Sequence, residues 1–127
     1  MYCLDTNIII DIFRGDEKII KKVEKIWDEG VFVTSITVCE LYKGAYGHLN
    51  FEEKIKIVDD FLENTRIISE DFHSCKKFGE MWQHLKKRGN QIGDFDLIIG
   101  SIIEVNNLTL ITRDRHFKKL GINVILI

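Results

Sequence analysis

The sequence alternates short apolar runs with longer stretches whose apolar residues recur at helical spacing, and this alternation is the strongest constraint on the fold. The apolar runs at 2–4, 31–33, 66–68, 108–112 and 123–127 each predict a strand. The stretches between most of them place apolar residues three or four positions apart, as amphipathic helices do. Strands that alternate with helices form parallel sheets covered on both faces. We therefore predict an α/β fold with a short parallel β-sheet flanked by helices on both faces.

Apolar spacing and capping residues predict six helices. The first is short, begins at Asp5 or Thr6 and ends before Gly15. The last is apolar nearly all round, which indicates a helix buried on several sides. The four helices between them are expected over 16–29, 36–46, 51–62 and 72–88. The last helix is expected over 94–106.

The chain of 127 residues is expected to form one domain, residues 1–127, because it contains no proline, no linker and no repeat. No apolar run approaches the length of a membrane span, and no secretory signal is evident, so we expect a cytoplasmic protein. Cys3, Cys39 and Cys75 lie among apolar residues and form no CxxC pair. We expect three buried, reduced thiols and no zinc site.

Carboxylates are concentrated where the predicted strands end. Asp5 follows the first strand, and Asp114 lies two residues after the fourth. Asp94 and Asp96 begin the apolar helix, and Glu40 lies early in the helix after the second strand. Parallel strands end at the same edge of a sheet, where open α/β sheets bind their ligands. We therefore expect these five acids to share one crevice.

A divalent cation would explain such a cluster. Carboxylates that are close together repel one another, and Mg²⁺ or Mn²⁺ removes that penalty while preferring oxygen ligands. The four histidines are scattered without HxH or HExxH spacing and are expected on the surface. The sequence therefore predicts a Mg²⁺ or Mn²⁺ site built from acids.

Each acid also has an ordinary explanation when it is considered alone. Asp5 and Asp94 are good helix N-caps, Asp96 complements a helix dipole, and Asp114 suits a turn. Glu40 is harder to explain in this way, because it lies within the apolar run 36–41. A buried glutamate is costly unless it is paired or bound to a metal. The metal site is the one explanation that covers all five residues together.

Four blocks of this sequence resemble the PIN-domain family, and within it the VapC-type toxins of bacterial and archaeal toxin–antitoxin pairs. The blocks occur in family order along nearly the whole chain, at 4–8, 35–44, 92–99 and 110–117. In this resemblance Asp5, Glu40, Asp96 and Asp114 match the acidic catalytic quartet. Asp5, Asp96 and Asp114 would bind the metal, with Asp94 as an accessory ligand. The polar residues that would support the carboxylates are Thr6, Asn7, Ser35 and Thr112.

The resemblance implies a metal-dependent endoribonuclease that cleaves single-stranded RNA as the toxin of a toxin–antitoxin pair. It also implies a separately encoded antitoxin as partner, and a homodimer. The helices between Phe51 and Leu85, taken as a packed pair, would leave apolar surface for that dimer.

Two alternatives from other functional classes stay open at this point. One is a catalytically silent PIN-like module that binds RNA or protein, although the intact quartet argues against it. The other is a receiver-like phosphotransfer domain with an acidic pocket. A receiver would place a lysine after its late strand, whereas this chain has Thr112, Arg113 and Asp114 there.

Basic residues are concentrated in two segments, 76–88 and 113–119, although the formal charge of the whole chain is −2. Setting five carboxylates aside for a metal changes that charge from −2 to +3. Contacts to phosphate supply most of the non-specific affinity for nucleic acids. The residues that we expect to contact RNA are therefore Arg113, Arg115, Lys118, Lys119, Lys86, Lys87 and Arg88.

Overall fold

The computed structural model describes residues 1–127 and contains five strands, six α-helices and one 3-10 helix. The strands are β1 (Tyr2–Leu4), β2 (Val31–Thr34), β3 (Arg66–Ile68), β4 (Thr109–Thr112) and β5 (Val124–Leu126). The helices are α1 (Thr6–Phe13), α2 (Glu17–Trp27), α3 (Ser35–Tyr46), α4 (Phe51–Glu63), α5 (Phe72–Lys87) and α6 (Asp94–Val105). All predicted strands and helices are present. The 3-10 helix (Arg115–Leu120) was not predicted, because its six residues are too few to show a helical period.

The five strands form one parallel sheet in the order β3-β2-β1-β4-β5. The central strand β1 pairs with β4 so that Leu4 lies opposite Ile111. The backbone N–H of Asp5 continues this ladder and donates to the carbonyl of Ile111 at 3.0 Å. Residues that follow β1, β2 and β4 therefore emerge at the same edge of the sheet.

Helices cover both faces of this sheet, as the sequence predicts. Neighbouring residues in a strand point to opposite faces, and here they join different clusters. Leu4 and Ile111 pack into a cluster with residues of α1, α2, α3 and α4. Cys3 and Leu110 pack into a second cluster with Ile99 of α6 and with the 3-10 helix. The predicted α/β fold is confirmed.

The expected pairing of the helices between Phe51 and Leu85 is wrong. Helix α4 packs against α3, whereas α5 packs against α6. The strand β3 separates α4 from α5 in the chain, and the two helices lie on different faces of the sheet. The two helices therefore do not form the shared apolar surface that was expected to support a homodimer.

The cysteine prediction holds for one residue of three. Cys3 is fully buried in the sheet, but Cys39 and Cys75 are exposed. Helix α3 buries Thr37, Leu41 and Ala45, which share one face at four-residue spacing, and Cys39 lies off that face. Apolar neighbours in sequence therefore did not place this thiol in the core. No helix combines the length and the apolar character that crossing a membrane requires.

Candidate active site

The carboxylate of Asp5 is buried at the end of β1, where only 5% of the residue is exposed. It caps α1, because Oδ1 accepts a hydrogen bond from the backbone N–H of Thr6 at 2.9 Å. Its other oxygen, Oδ2, accepts from the hydroxyl of Thr112 at 2.6 Å and from Asn7 Nδ2 at 3.2 Å. Donors from β4 and α1 thus fix both oxygens of this carboxylate.

Glu40 is joined to the same region through Thr6. The Thr6 hydroxyl donates to Glu40 Oε1 at 2.8 Å and lies 3.2 Å from the hydroxyl of Thr37. Glu40 is half-buried, so the expectation of a fully buried glutamate is wrong. The fully buried face of α3 is formed by its neighbours Thr37 and Leu41, which leaves Glu40 at the rim of the core.

Asp114 lies just after β4 and caps the 3-10 helix. Its backbone N–H donates to the hydroxyl of Thr112 at 2.9 Å, so Thr112 connects it to Asp5. Asp114 Oδ1 accepts from the backbone N–H of His116 at 2.9 Å and lies 2.8 Å from His116 Nδ1. His116 is exposed, as expected for each histidine, yet it contacts this acid.

Asp96, in the first turn of α6, completes the group. Burial raises the pKa of Asp96 to about 6, and the negative charges of Asp5, Asp114 and Glu40 add to that rise. Burial also raises the pKa of Asp5, opposed by its hydrogen bonds and supported by the charges of Glu40 and Asp114. Four carboxylates from four distant segments therefore act on one another. We call Asp5, Glu40, Asp96 and Asp114 the acidic crevice.

The acidic crevice has the donor chemistry of a site for a hard divalent cation. All four side chains offer oxygen, which Mg²⁺ and Mn²⁺ prefer. Raised pKa values at Asp5 and Asp96 show that negative charge is penalised there, and a cation would remove this penalty. No three acidic, histidine or cysteine side chains converge closely enough to form a preassembled set of ligands. The donor set fits such an ion, and its members would have to approach one another to bind it.

The model of the family described as "PIN domain" matches residues 2–123 of this chain. The chain belongs to the PIN-domain family. "Ribonuclease VapC1" of Haemophilus influenzae (strain 86-028NP) is 34% identical to this PIN domain over 123 residues, which cover 94% of this chain and 92% of that protein. "Ribonuclease VapC3" of Methanocaldococcus jannaschii is 37% identical over 99 residues, which cover 78% of this chain and 94% of its own.

Solved structures agree with this membership. VapBC2 from Rickettsia felis, bound to a DNA fragment from its promoter, matches with a TM-score of 0.91 and 26% identity. That match covers 98% of this PIN domain and 97% of the other chain. VapBC-1 from nontypeable Haemophilus influenzae matches with a TM-score of 0.86 and 28% identity, covering 98% and 96% of the two chains. The family match removes the receiver-like alternative.

In this PIN domain, three of the four predicted supporting residues contact carboxylates of the acidic crevice. Thr6, Asn7 and Thr112 each hydrogen-bond to Asp5 or Glu40. Ser35 does not, because its hydroxyl donates to Glu70 Oε2 at 3.0 Å. Ser35 was expected at the crevice because it matches a polar position in the family resemblance. The α3 hydroxyl that contacts Thr6 belongs to Thr37 instead, two residues further along the helix.

Asp94 stands apart from the acidic crevice. It is exposed at the start of α6 and lines a pocket with Trp82 and Leu85 of α5. The N-cap of α6 is Gly93, so Asp94 does not cap this helix either. No side-chain hydrogen bond or ion pair joins Asp94 to another residue. Its role as an accessory metal ligand stays a prediction.

The basic residues predicted to contact RNA are exposed but differ in their surroundings. Lys119 lines a pocket with Glu104, which lies eight residues, or about 12 Å along α6, from Asp96. Lys119 therefore lies towards the end of α6 that is far from Asp96. Its neighbour Lys118 is exposed on the same short 3-10 helix. Arg113 is already paired with Asp11, whose carboxylate Oδ2 lies 3.1 Å from Arg113 Nε.

The segment Lys86–Arg88 ends α5 and leads directly into the start of α6. Trp82 and Leu85 near this end of α5 share a pocket with Asp94, two residues before Asp96. Within the segment, Lys86 lies over the ring of Trp82 at 5.4 Å. Leu85 also lines the pocket that contains Lys119, so the place of this segment on the RNA path stays a prediction.

Two residues near the site were missed by the sequence analysis. Thr37 is fully buried beside Thr6, and nothing in its own neighbourhood distinguishes it from other threonines. Asp11 is buried within the apolar stretch of α1, with only 6% of the residue exposed. The signal that drew attention to Glu40, an acid within an apolar run, also applied to Asp11 and would have found it.

Replacing Asp96 by asparagine tests the electrostatics of the acidic crevice. The folded-state pKa of Asp96, about 6, lies above its ordinary value of 3.8. Between these two pH values Asp96 is largely deprotonated in the unfolded chain but still protonated in the folded chain. The folded wild type therefore loses stability as the pH rises through this range. Asparagine cannot ionise. In EDTA, we expect Asp96→Asn to melt higher than wild type at about pH 7.5, and this advantage to disappear near about pH 4.

Thermal melts of both proteins across this pH range provide the measurement. Asp60→Asn is the matched control, because Asp60 forms an exposed ion pair with Lys56 on α4. We expect that control to show little dependence on pH relative to wild type. An Asp96→Asn variant that melts below wild type at about pH 7.5 would contradict the mutual repulsion described for this crevice.

Proposed function

We propose that this chain is a metal-dependent endoribonuclease that cleaves single-stranded RNA as the toxin of a toxin–antitoxin pair. The observation that carries this proposal is the electrostatic coupling of Asp5, Glu40, Asp96 and Asp114 at one edge of a PIN-domain sheet. The ribonuclease names of its relatives support the same reaction. A catalytically silent module would have no use for four acids whose charges are mutually unfavourable.

The metal in this proposal is Mg²⁺ or Mn²⁺, held by Asp5, Asp96 and Asp114. Such an ion lowers the pKa of a bound water and offsets charge that develops on a phosphate. Thr112 has the central positioning role, because its hydroxyl bonds to Asp5 and to the backbone of Asp114. Thr6 holds Glu40 at the opposite rim. These threonines thus keep the carboxylate oxygens facing one crevice.

We propose that the RNA approaches along Lys86, Lys87 and Arg88. This segment precedes the first turn of α6, which carries Asp96, and its positive charges would offset repulsion between phosphates and the acids. Arg115 directly follows Asp114 and adds a positive charge at the start of the 3-10 helix. Contacts of this kind position the strand without selecting a base.

The partner in this proposal is a separately encoded antitoxin. The solved structures similar to this chain include VapBC complexes, one of them bound to promoter DNA. A homodimer and a cytoplasmic location stay predictions. The apolar side chains of Ile67 and Phe72, which are 51% and 88% exposed near the edge strand β3, are available to a second copy.

The cleavage prediction compares wild type with Asp5→Asn. The amide has the size of the carboxylate but lacks its charge, so we expect loss of metal binding. RNA cleavage should fall by at least about 100-fold, the upper end of the loss seen when a residue that only orients a metal ligand is replaced. Purified protein is incubated with total RNA in Mg²⁺, in Mn²⁺ and in EDTA, and cut sites are mapped. Only the first two conditions should give fragments.

Asp60→Asn again provides the control, because it removes an exposed carboxylate on α4, outside the acidic crevice. We expect it to cleave at the wild-type rate. Cleavage by Asp5→Asn at the wild-type rate, or wild-type cleavage that persists in EDTA, would show that the reaction does not use this site.

The RNA-path prediction compares two pairs of basic residues. Lys87→Ala/Arg88→Ala should weaken binding to all RNAs about equally and reduce the log–log salt slope by roughly 0.7 for each phosphate that the protein no longer neutralises. Lys118→Ala/Lys119→Ala removes the same charge from the 3-10 helix and should change the slope less, because Lys119 shares a pocket with Glu104, about 12 Å along α6 from Asp96. Affinity titrations at several salt concentrations in EDTA measure both. The opposite ranking would place the RNA along the 3-10 helix.

A further inference from the structure

The buried carboxylate of Asp11 has no part in the site proposed above. It lies on α1 within the run 8–13, where every other residue is apolar, and its Oδ2 atom is buried without a hydrogen-bond partner. A buried carboxylate is costly unless a positive charge compensates it. This residue therefore needs a physical explanation.

The compensating charge comes from Arg113. Arg113 Nε lies 3.1 Å from Asp11 Oδ2, which is an ion pair without the alignment of a hydrogen bond. The backbone N–H of Arg113 also donates to Asn7 Oδ1 at 3.3 Å. Asn7 and Asp11 lie four residues apart and share one face of α1. Arg113 is thus attached to α1 at both its backbone and its side chain.

Arg113 lies between two residues of the site, Thr112 and Asp114. Arg113 forms the bend that follows β4 and leads into Asp114, whose backbone is extended with φ of −87° and ψ of 112°. The two attachments of Arg113 to α1 therefore fix the start of the segment that carries the Asp114 carboxylate, whose negative charge acts on Asp96.

We propose that Asp11 is a positioning residue that acts through Arg113 to fix the Asp114 carboxylate relative to Asp5. The proposal rests on the nuclease function proposed above and adds a residue to its machinery. Because Asp11 and Arg113 act on a metal ligand, their loss weakens metal binding and slows cleavage. The same loss leaves the affinity for RNA nearly unchanged, since the proposed phosphate contacts Lys86, Lys87 and Arg88 are retained.

A purely structural ion pair is the competing explanation. Removing one partner of a buried pair destabilises a protein whatever its function, because the other charge is left uncompensated. Replacing both partners by apolar residues of similar volume is often neutral or stabilising. Asp11→Leu/Arg113→Met therefore separates the two explanations: it removes the side-chain attachment of residue 113 to α1 without leaving a buried charge.

The experiment uses the full chain as wild type, as Asp11→Asn, and as Asp11→Leu/Arg113→Met. Asp60→Asn is the matched control, since it breaks an ion pair that is exposed on α4. Calorimetric titration gives Mn²⁺ affinity without RNA, single-turnover cleavage at saturating RNA gives the rate, and titration in EDTA gives RNA affinity. Thermal melts report the fold of each variant.

We expect both Asp11 variants to bind Mn²⁺ roughly 10-fold more weakly and to cleave correspondingly slower, as when a residue that orients a ligand is removed. RNA affinity should stay within about twofold of wild type, since Lys86, Lys87 and Arg88, the phosphate contacts proposed above, are retained. A folded Asp11→Leu/Arg113→Met variant with wild-type Mn²⁺ affinity would overturn the proposal. Loss of cooperative unfolding in every Asp11 variant would also overturn it, by showing a structural pair.

The design separates this proposal from the nuclease proposal. If wild type binds Mn²⁺ but cleaves no RNA, the nuclease function fails, while the comparison of Mn²⁺ affinities still decides the role of Asp11. If wild type cleaves RNA and the Asp11 variants match it in both Mn²⁺ affinity and rate, only the positioning role fails.

Discussion

The hydrogen bond from the Thr112 hydroxyl to Asp5 is the interaction on which the rest of the site depends. It joins the ends of two adjacent parallel strands, β1 and β4, at the sheet edge where ligands bind in α/β folds. Asp5 is buried, and without such donors its ionised form would be strongly unfavourable. The same hydroxyl accepts from the backbone of Asp114, so one side chain of β4 places two carboxylates.

The other elements bring negative charge to this fixed pair. Helix α3 supplies Glu40 through Thr6, and α6 supplies Asp96 from its first turn. Burial raises the pKa of Asp5 and of Asp96, and repulsion among the acids adds to that rise. A bound divalent cation would remove this repulsion, and the relief would contribute to the free energy of metal binding. The charge pattern is therefore linked to metal-dependent cleavage of RNA.

Sequence reasoning located the elements and the four acids, because strand–helix alternation and acids at strand ends are local patterns. It could not assign contacts that depend on which face an element presents. Cys39 is exposed, Ser35 bonds to Glu70, and Lys119 lies beside Glu104 for this reason. The pair of Asp11 and Arg113 joins residues more than a hundred positions apart, so only the folded structure reveals it.

The central claim is that the four acids form one site for a divalent cation. A crystal structure of the protein grown with Mn²⁺, with anomalous scattering recorded near the manganese absorption edge, tests this claim most directly. The account predicts an anomalous peak bounded by Asp5, Asp96 and Asp114, with these carboxylates drawn together around it. An empty crevice at a Mn²⁺ concentration that supports cleavage, or a peak bound by other residues, would contradict it.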